Sequence, residues 1–142
     1  MKRWAIFALL VFAANFGWEM MQARWFANMR DLPAWHATLL CLRATVGDLL
    51  ITLIAFAVAA AVARSAVWPA GPRSGIAATT FVAVGIAITA GYEKFALSTG
   101  QWRYDMRMPT LFGVGLSPLL QWFMLPAVEA LLFRLMWRRR VT

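Results

Sequence analysis

Four of the six acidic residues, Glu19, Asp48, Glu93 and Glu129, lie within or at the edges of long apolar stretches; the other two, Asp31 and Asp105, fall in loops. A carboxyl inside a membrane span is costly, so it reads as functional by default. In such surroundings a carboxylic acid can hold and deliver a proton, the work of a general acid. Polar neighbours recur at helical spacing. Asn15, Glu19 and Gln22 share one face, with Trp18 at its border. Thr89 shares a face with Glu93, Thr52 with Asp48, and Gln121 with Glu129 two turns on. These faces should turn toward a bundle interior, where Asn15, Gln22 and Gln121 would line a substrate cavity. The stretch Gly100-Gln101-Trp102-Arg103-Tyr104-Asp105, with Tyr92 upstream, offers aromatics and a guanidinium to cap that cavity. Trp and Tyr faces stabilise developing positive charge. The expectation is that Glu19 and Glu93 share one cavity near the outer leaflet, with Asp48 and Glu129 deeper.

A purely structural reading also stands. Glu93 would pair with Lys94 or Arg103, Asp48 with Arg43, and Glu129 imperfectly with Arg134. His36, beside Trp35, reads as an interfacial or capping residue. Cys41 is the only cysteine, so it forms no internal disulfide and reads as a small buried apolar residue. Without a His/Cys cluster neither a metal nor another cofactor is expected.

The elements that position these residues are transmembrane helices. A hydrophobic content of 62% far exceeds that of soluble domains. Four largely uncharged stretches predict helices at about residues 3–24, 33–64, 75–98 and 118–138, forming one all-α domain over 1–142. Pro33 and Pro118 read as first-turn prolines, and the Gly-containing piece 111–116 is expected to be re-entrant rather than helical. On these bounds Asp48 and Glu129 would sit near mid-membrane. Lys2 and Arg3 before an apolar run resemble a signal peptide, but no clean small-x-small site follows, so the segment is expected to remain as the first span.

The net charge of +8 does not form a nucleic-acid-binding face, because the bases sit at span ends. Lys2, Arg3, Arg64, Arg73, Arg134 and the Arg138-Arg139-Arg140 cluster fall on one side. Arg24, Arg30, Arg43, Lys94, Arg103 and Arg107 fall on the other. That bias predicts cytoplasmic termini and an inner-membrane location. Trp4, Trp25, Trp68, Trp102 and Trp137 lie near span ends, as an interfacial aromatic belt would.

Gly17-Trp18-Glu19 recurs as Gly91-Tyr92-Glu93, 74 residues later, with Trp25 and Trp102 downstream. This echo suggests two tandem helical hairpins. Trp102 and Tyr104, followed by Pro126, Glu129 and Phe133, also resemble the W-x-Y and P-x-E-E elements of the lycopene cyclase domain. Val128 stands where that family's first acid would be. Asn15-Phe16-Gly17-Trp18-Glu19 is similar to the N-x-x-W-E element of transmembrane terpene cyclases. The resemblance implies acid-initiated chemistry on an isoprenoid. Three functions stay open: a cyclase- or isomerase-type membrane enzyme acting on a lipophilic small molecule, an oligomeric ion- or proton-coupled transporter, and an accessory subunit of a larger membrane complex.

Overall fold

The computed structural model describes residues 2–137 and contains four long helices. They are α1 (Lys2–Gln22), α2 (Ala34–Ala63), α3 (Ser74–Ser98) and α4 (Leu116–Trp137). Each is long and apolar enough to cross a membrane, and the chain is a multi-pass membrane protein. The packing is inverted relative to a soluble bundle. Leu9, Leu53, Ile76 and Leu131 are more than half exposed on the outside, whereas Asn15, Thr45 and Gln121 are almost completely buried. That is the arrangement hydrocarbon demands, where the driving force for packing is contact and hydrogen bonding rather than removal of water.

Short connections make consecutive helices antiparallel, and α4 closes the ring against α1. Arg3 near the start of α1 meets the Met136 carbonyl near the end of α4, while Gln22 at the end of α1 meets Ser117 at the start of α4. The helices α1 and α3 therefore lie diagonally, as do α2 and α4.

The seam between α2 and α3 is dry and built from small residues. Ala55, Ala59 and Ala63 recur every fourth residue on α2 and meet Ala77 and Phe81 of α3. Gly85 extends the same α3 face. A Cβ there would lie 2.1 Å from Cε3 of Trp122, so only glycine lets the α4 indole seat against α3. Trp68, expected in an interfacial belt, is instead buried at the end of this seam between Phe56 and Phe81. The loop joining α2 to α3 folds it inward as a plug.

The segment before α4 is not helical. Thr110–Leu111 (β1) and Val114–Gly115 (β2) form a short antiparallel hairpin, and α4 starts at Leu116, two residues before the proline expected to open it. Both turn residues, Phe112 and Gly113, have positive φ (52° and 77°), as a tight two-residue hairpin requires. Glycine adopts that region freely; Phe112 does so under strain and is exposed at the tip. The cluster Arg138-Arg139-Arg140, part of the charge count, lies outside the described residues.

Helix α2 is longer than a hydrocarbon core requires. Thirty residues span about 45 Å, some 15 Å more than a hydrocarbon core. Arg43 is exposed on the surface of α2, five residues before Asp48.

Candidate functional site: a carboxyl and amide chain in the bundle

The expected polar faces all turn inward. On α1, Val11, Asn15, Glu19 and Gln22 are the buried residues, at three- and four-residue spacing. On α4, Ser117, Gln121, Leu125, Glu129 and Phe133 are buried at four-residue steps. The two faces meet through side chains. Asn15 Nδ2 donates to Glu129 Oε1 at 3.3 Å and to the Val11 carbonyl at 2.9 Å. Gln121 Nε2 donates to Asn15 Oδ1 at 3.3 Å and, across the bundle, to Asp48 Oδ2 at 2.9 Å. The chain Asp48, Gln121, Asn15, Glu129 thus runs from α2 through α4 and α1 and back to α4.

A second branch starts at Glu19. Gln22 Nε2 donates to Glu19 Oε1 at 2.5 Å, and Ser117 Oγ donates to Gln22 Oε1 at 2.8 Å. The Glu19 carboxyl adjoins that of Asp48 at hydrogen-bonding range, joining the two branches. Both are within electrostatic reach of Glu93 on α3. Cys41, buried on α2, directs its thiol at the Glu19 carbonyl at 3.6 Å.

Glu93 faces the end of the bundle covered by loops. Tyr104 Oη donates to Glu93 Oε2, Trp102 Nε1 donates to the same oxygen at 3.4 Å, and the Gly115 N–H donates to Tyr104 Oη at 2.8 Å. Burial pushes the Tyr104 phenol well above its usual range, and its bond to Glu93 adds to the effect. This cap is held by backbone pairing between the two loops. Ala27 N–H donates to the Arg103 carbonyl and Asp105 N–H to the Trp25 carbonyl, both at 2.8 Å, around an antiparallel Phe26–Tyr104 bridge. In an extended segment alternate side chains face opposite ways. Trp102 and Tyr104 face in, and Arg103 between them is exposed.

The chain is therefore assembled from Asn15, Glu19, Gln22, Asp48, Gln121 and Glu129, while Glu93 forms a separate hydrogen-bonded cluster with Trp102 and Tyr104. Arg103 stays outside it. Tyr92 is exposed at the rim, 5.5 Å from the Trp102 ring. Trp18 is half-buried at the border, and its indole Nε1 is buried without an acceptor. Ser117 was not singled out from the sequence, although its position one turn before Gln121 puts it on the same face. A small cavity of about 10 Å³ lies beside the chain, at the lower limit for one water molecule. It is lined by Asn15, Thr52, Gln121, Trp122, Leu125, Pro126 and Glu129, and by neither Glu19 nor Glu93. Pro126 brings no N–H, so the Trp122 carbonyl one turn earlier loses its usual helical donor beside this cavity.

The structural pairings expected for the acids do not form. Among the described residues the ion pairs are Arg30 and Arg107 with Asp105, and none involves Glu19, Asp48, Glu93 or Glu129. Among the described residues no three carboxyl, imidazole or thiol groups converge at metal-ligand spacing. Comparison with protein families, with curated proteins and with solved structures returned no match to this chain.

Proposed function

We propose that this chain is a membrane-embedded acid–base protein whose linked carboxyl groups exchange protons with a lipophilic, isoprenoid-like substrate reaching them from the bilayer. The supporting observation is that Glu19, Asp48 and Glu129 are tied together by amides and one another, with Glu93 nearby under Trp102 and Tyr104, and that no base among the described residues pairs with any of the four. Carboxyls without counter-charge in a water-poor interior exist there by carrying or sharing protons. Glu19 and Asp48, in contact, are the proton-holding pair. Glu93, under Trp102 and Tyr104, is the acid nearest aromatic faces suited to a developing cation. The sequence resemblance to acid-using isoprenoid cyclases points the same way. We take the termini as cytoplasmic and the membrane as a cell inner membrane, on the basic-residue distribution.

The continuity of the chain and its water-sized cavity favour a second reading, proton-coupled transport, since intramembrane acids also mark ion paths. Lipid mass spectrometry of the purified protein and of host membranes, beside proton flux in proteoliposomes, separates the two. The enzyme reading expects a retained polyene or isoprenoid and a changed isomer profile, both lost in Glu19→Gln and Glu93→Gln with folding preserved. Full activity in both variants would defeat the acid chemistry. Proton flux without lipid conversion would favour the transporter.

A further inference from the structure

At the loop-covered end, outside the carboxyl chain, lies a recess of about 210 Å³ lined by Ala23, Arg24, Met29, Arg30, Ala37 and Arg107. The geometry points to a binding site for a phosphate group at the membrane surface, with a phospholipid headgroup as its occupant. Four observations carry it. First, three guanidiniums from two connections distant in sequence line one recess: Arg24 and Arg30 between α1 and α2, and Arg107 between α3 and α4. Second, they are organised rather than merely nearby. Asp105 accepts from Arg30 Nη2 and from Arg107 Nε at 2.9 Å, fixing both side chains on either side of one carboxylate. Each keeps further N–H donors for a ligand, and Arg24, held 5.1 Å over the Trp25 ring, pairs with no acid among the described residues. One acid against three bases leaves two positive charges uncompensated. Third, Ala23, Met29 and Ala37 give the recess an apolar wall suited to the start of an acyl chain. Fourth, the depth is right. Ala37 lies in the first turn of α2, about 9 Å before Arg43, at the end of a helix roughly 15 Å longer than a hydrocarbon core. The volume falls below that of drug-sized pockets, as fits a headgroup rather than a whole lipid. Bidentate guanidinium forks match phosphate oxygens in geometry and charge. This site is independent of the acid chemistry proposed above.

The test is native mass spectrometry of the detergent-purified protein titrated with phosphatidylglycerol, beside thermal stability in inorganic phosphate. The parent protein should retain the lipid. Arg24→Gln combined with Arg107→Gln should weaken retention about thirty-fold, since each interfacial base contributes roughly a factor of five. Arg103→Gln, exposed outside the recess, should have no effect. Ala37→Trp fills the recess while keeping every charge, and should also abolish retention; this separates a shaped site from general attraction to anions. Stabilisation of the parent by inorganic phosphate, absent in the double variant, would assign the same recess to free phosphate. Equal lipid and phosphate responses in the parent, the double variant and Ala37→Trp would overturn the proposal.

Discussion

Replacing Gly85 by alanine tests the packing that holds the polar chain in place. The new Cβ would meet Trp122 Cε3, Cζ3 and Cδ2 at 2.1, 2.2 and 2.4 Å, so the indole must retreat by more than an ångström. It has little freedom to do so. Trp122 is 3% exposed, its ring sits 5.7 Å from that of Phe81, and its Nε1 donates to Thr89 Oγ1 at 2.7 Å. Overpacking of this kind costs about 1–3 kcal/mol. Loss of the Thr89 bond adds roughly 0.6 kcal/mol for a hydrogen bond between membrane helices. Alanine returns up to about 1 kcal/mol in helix propensity. The net is destabilisation of about 0.6–3.6 kcal/mol, read from SDS or thermal unfolding of the purified protein. Thr89→Val, which removes only the bond, should cost about 0.6 kcal/mol. Trp122→Phe should absorb the clash, so adding Gly85→Ala to it should cost much less than in the parent. If Gly85→Ala unfolds together with the parent, the indole is not seated against α3 as described.

Three further outcomes follow. In a Tyr92→Phe background, ultraviolet titration should show no phenolate rise near pH 10, because burial and Glu93 keep Tyr104 protonated; its contribution to stability, whole below about pH 10, should fall only above it. Asp105 behaves oppositely: Arg107, through its side chain and backbone N–H, and Arg30 hold its carboxyl below the usual range. The loop pairing should therefore be intact above about pH 4 and loosen as pH falls below it, seen as faster exchange of the Ala27 amide, and Asp105→Asn should remove that step. In a Cys41→Ala background, cysteines at Ser74 and Ser98, at opposite ends of α3, should label from opposite sides of intact cells, and labelling of both from one side would refute the four-span arrangement.

What the sequence made legible was governed by local rules. Span number and span ends follow from hydrocarbon thickness, and the predicted bounds agree with the helices to within about two residues. The polar faces follow from helical spacing, and Asn15, Glu19, Gln22, Thr89, Glu93, Gln121 and Glu129 are all buried. What escaped depends on tertiary placement. Trp68 carries the same local pattern as a belt tryptophan, and only the return of its loop over Ala63 and Phe81 buries it. That Asp48 adjoins Glu19 could not follow from spacing within α2, because the two acids lie on different helices. Arg30 is 75 residues from Asp105, and only loop pairing brings it to the neighbouring Asp105 and Arg107.

The recurrence of Gly-aromatic-Glu bears on why the site lies where it does. Two tandem hairpins related by a two-fold axis make α1 equivalent to α3 and α2 to α4. Segments that follow equivalent helices must then meet antiparallel at corresponding positions, as isologous contacts do. The residues after α1 and α3 do meet antiparallel, at the Phe26–Tyr104 bridge, although the offset of 74 pairs Phe26 with Gly100. The same relation would make the α2–α3 and α4–α1 seams equivalent, yet they differ in chemistry. The α2–α3 seam is an alanine ladder sealed by Trp68 and Phe81. The α4–α1 seam carries Asn15 on Glu129 and Gln22 on Ser117, with aromatic packing of Phe7 against Phe133 toward the termini. Close backbone approach at small residues supplies much of the association energy available between helices in lipid. With that concentrated in one seam, the other can hold polar groups that pack less closely. The division accounts for four acids inside so short a bundle: one seam holds the helices together by close packing, and the other carries the polar side chains.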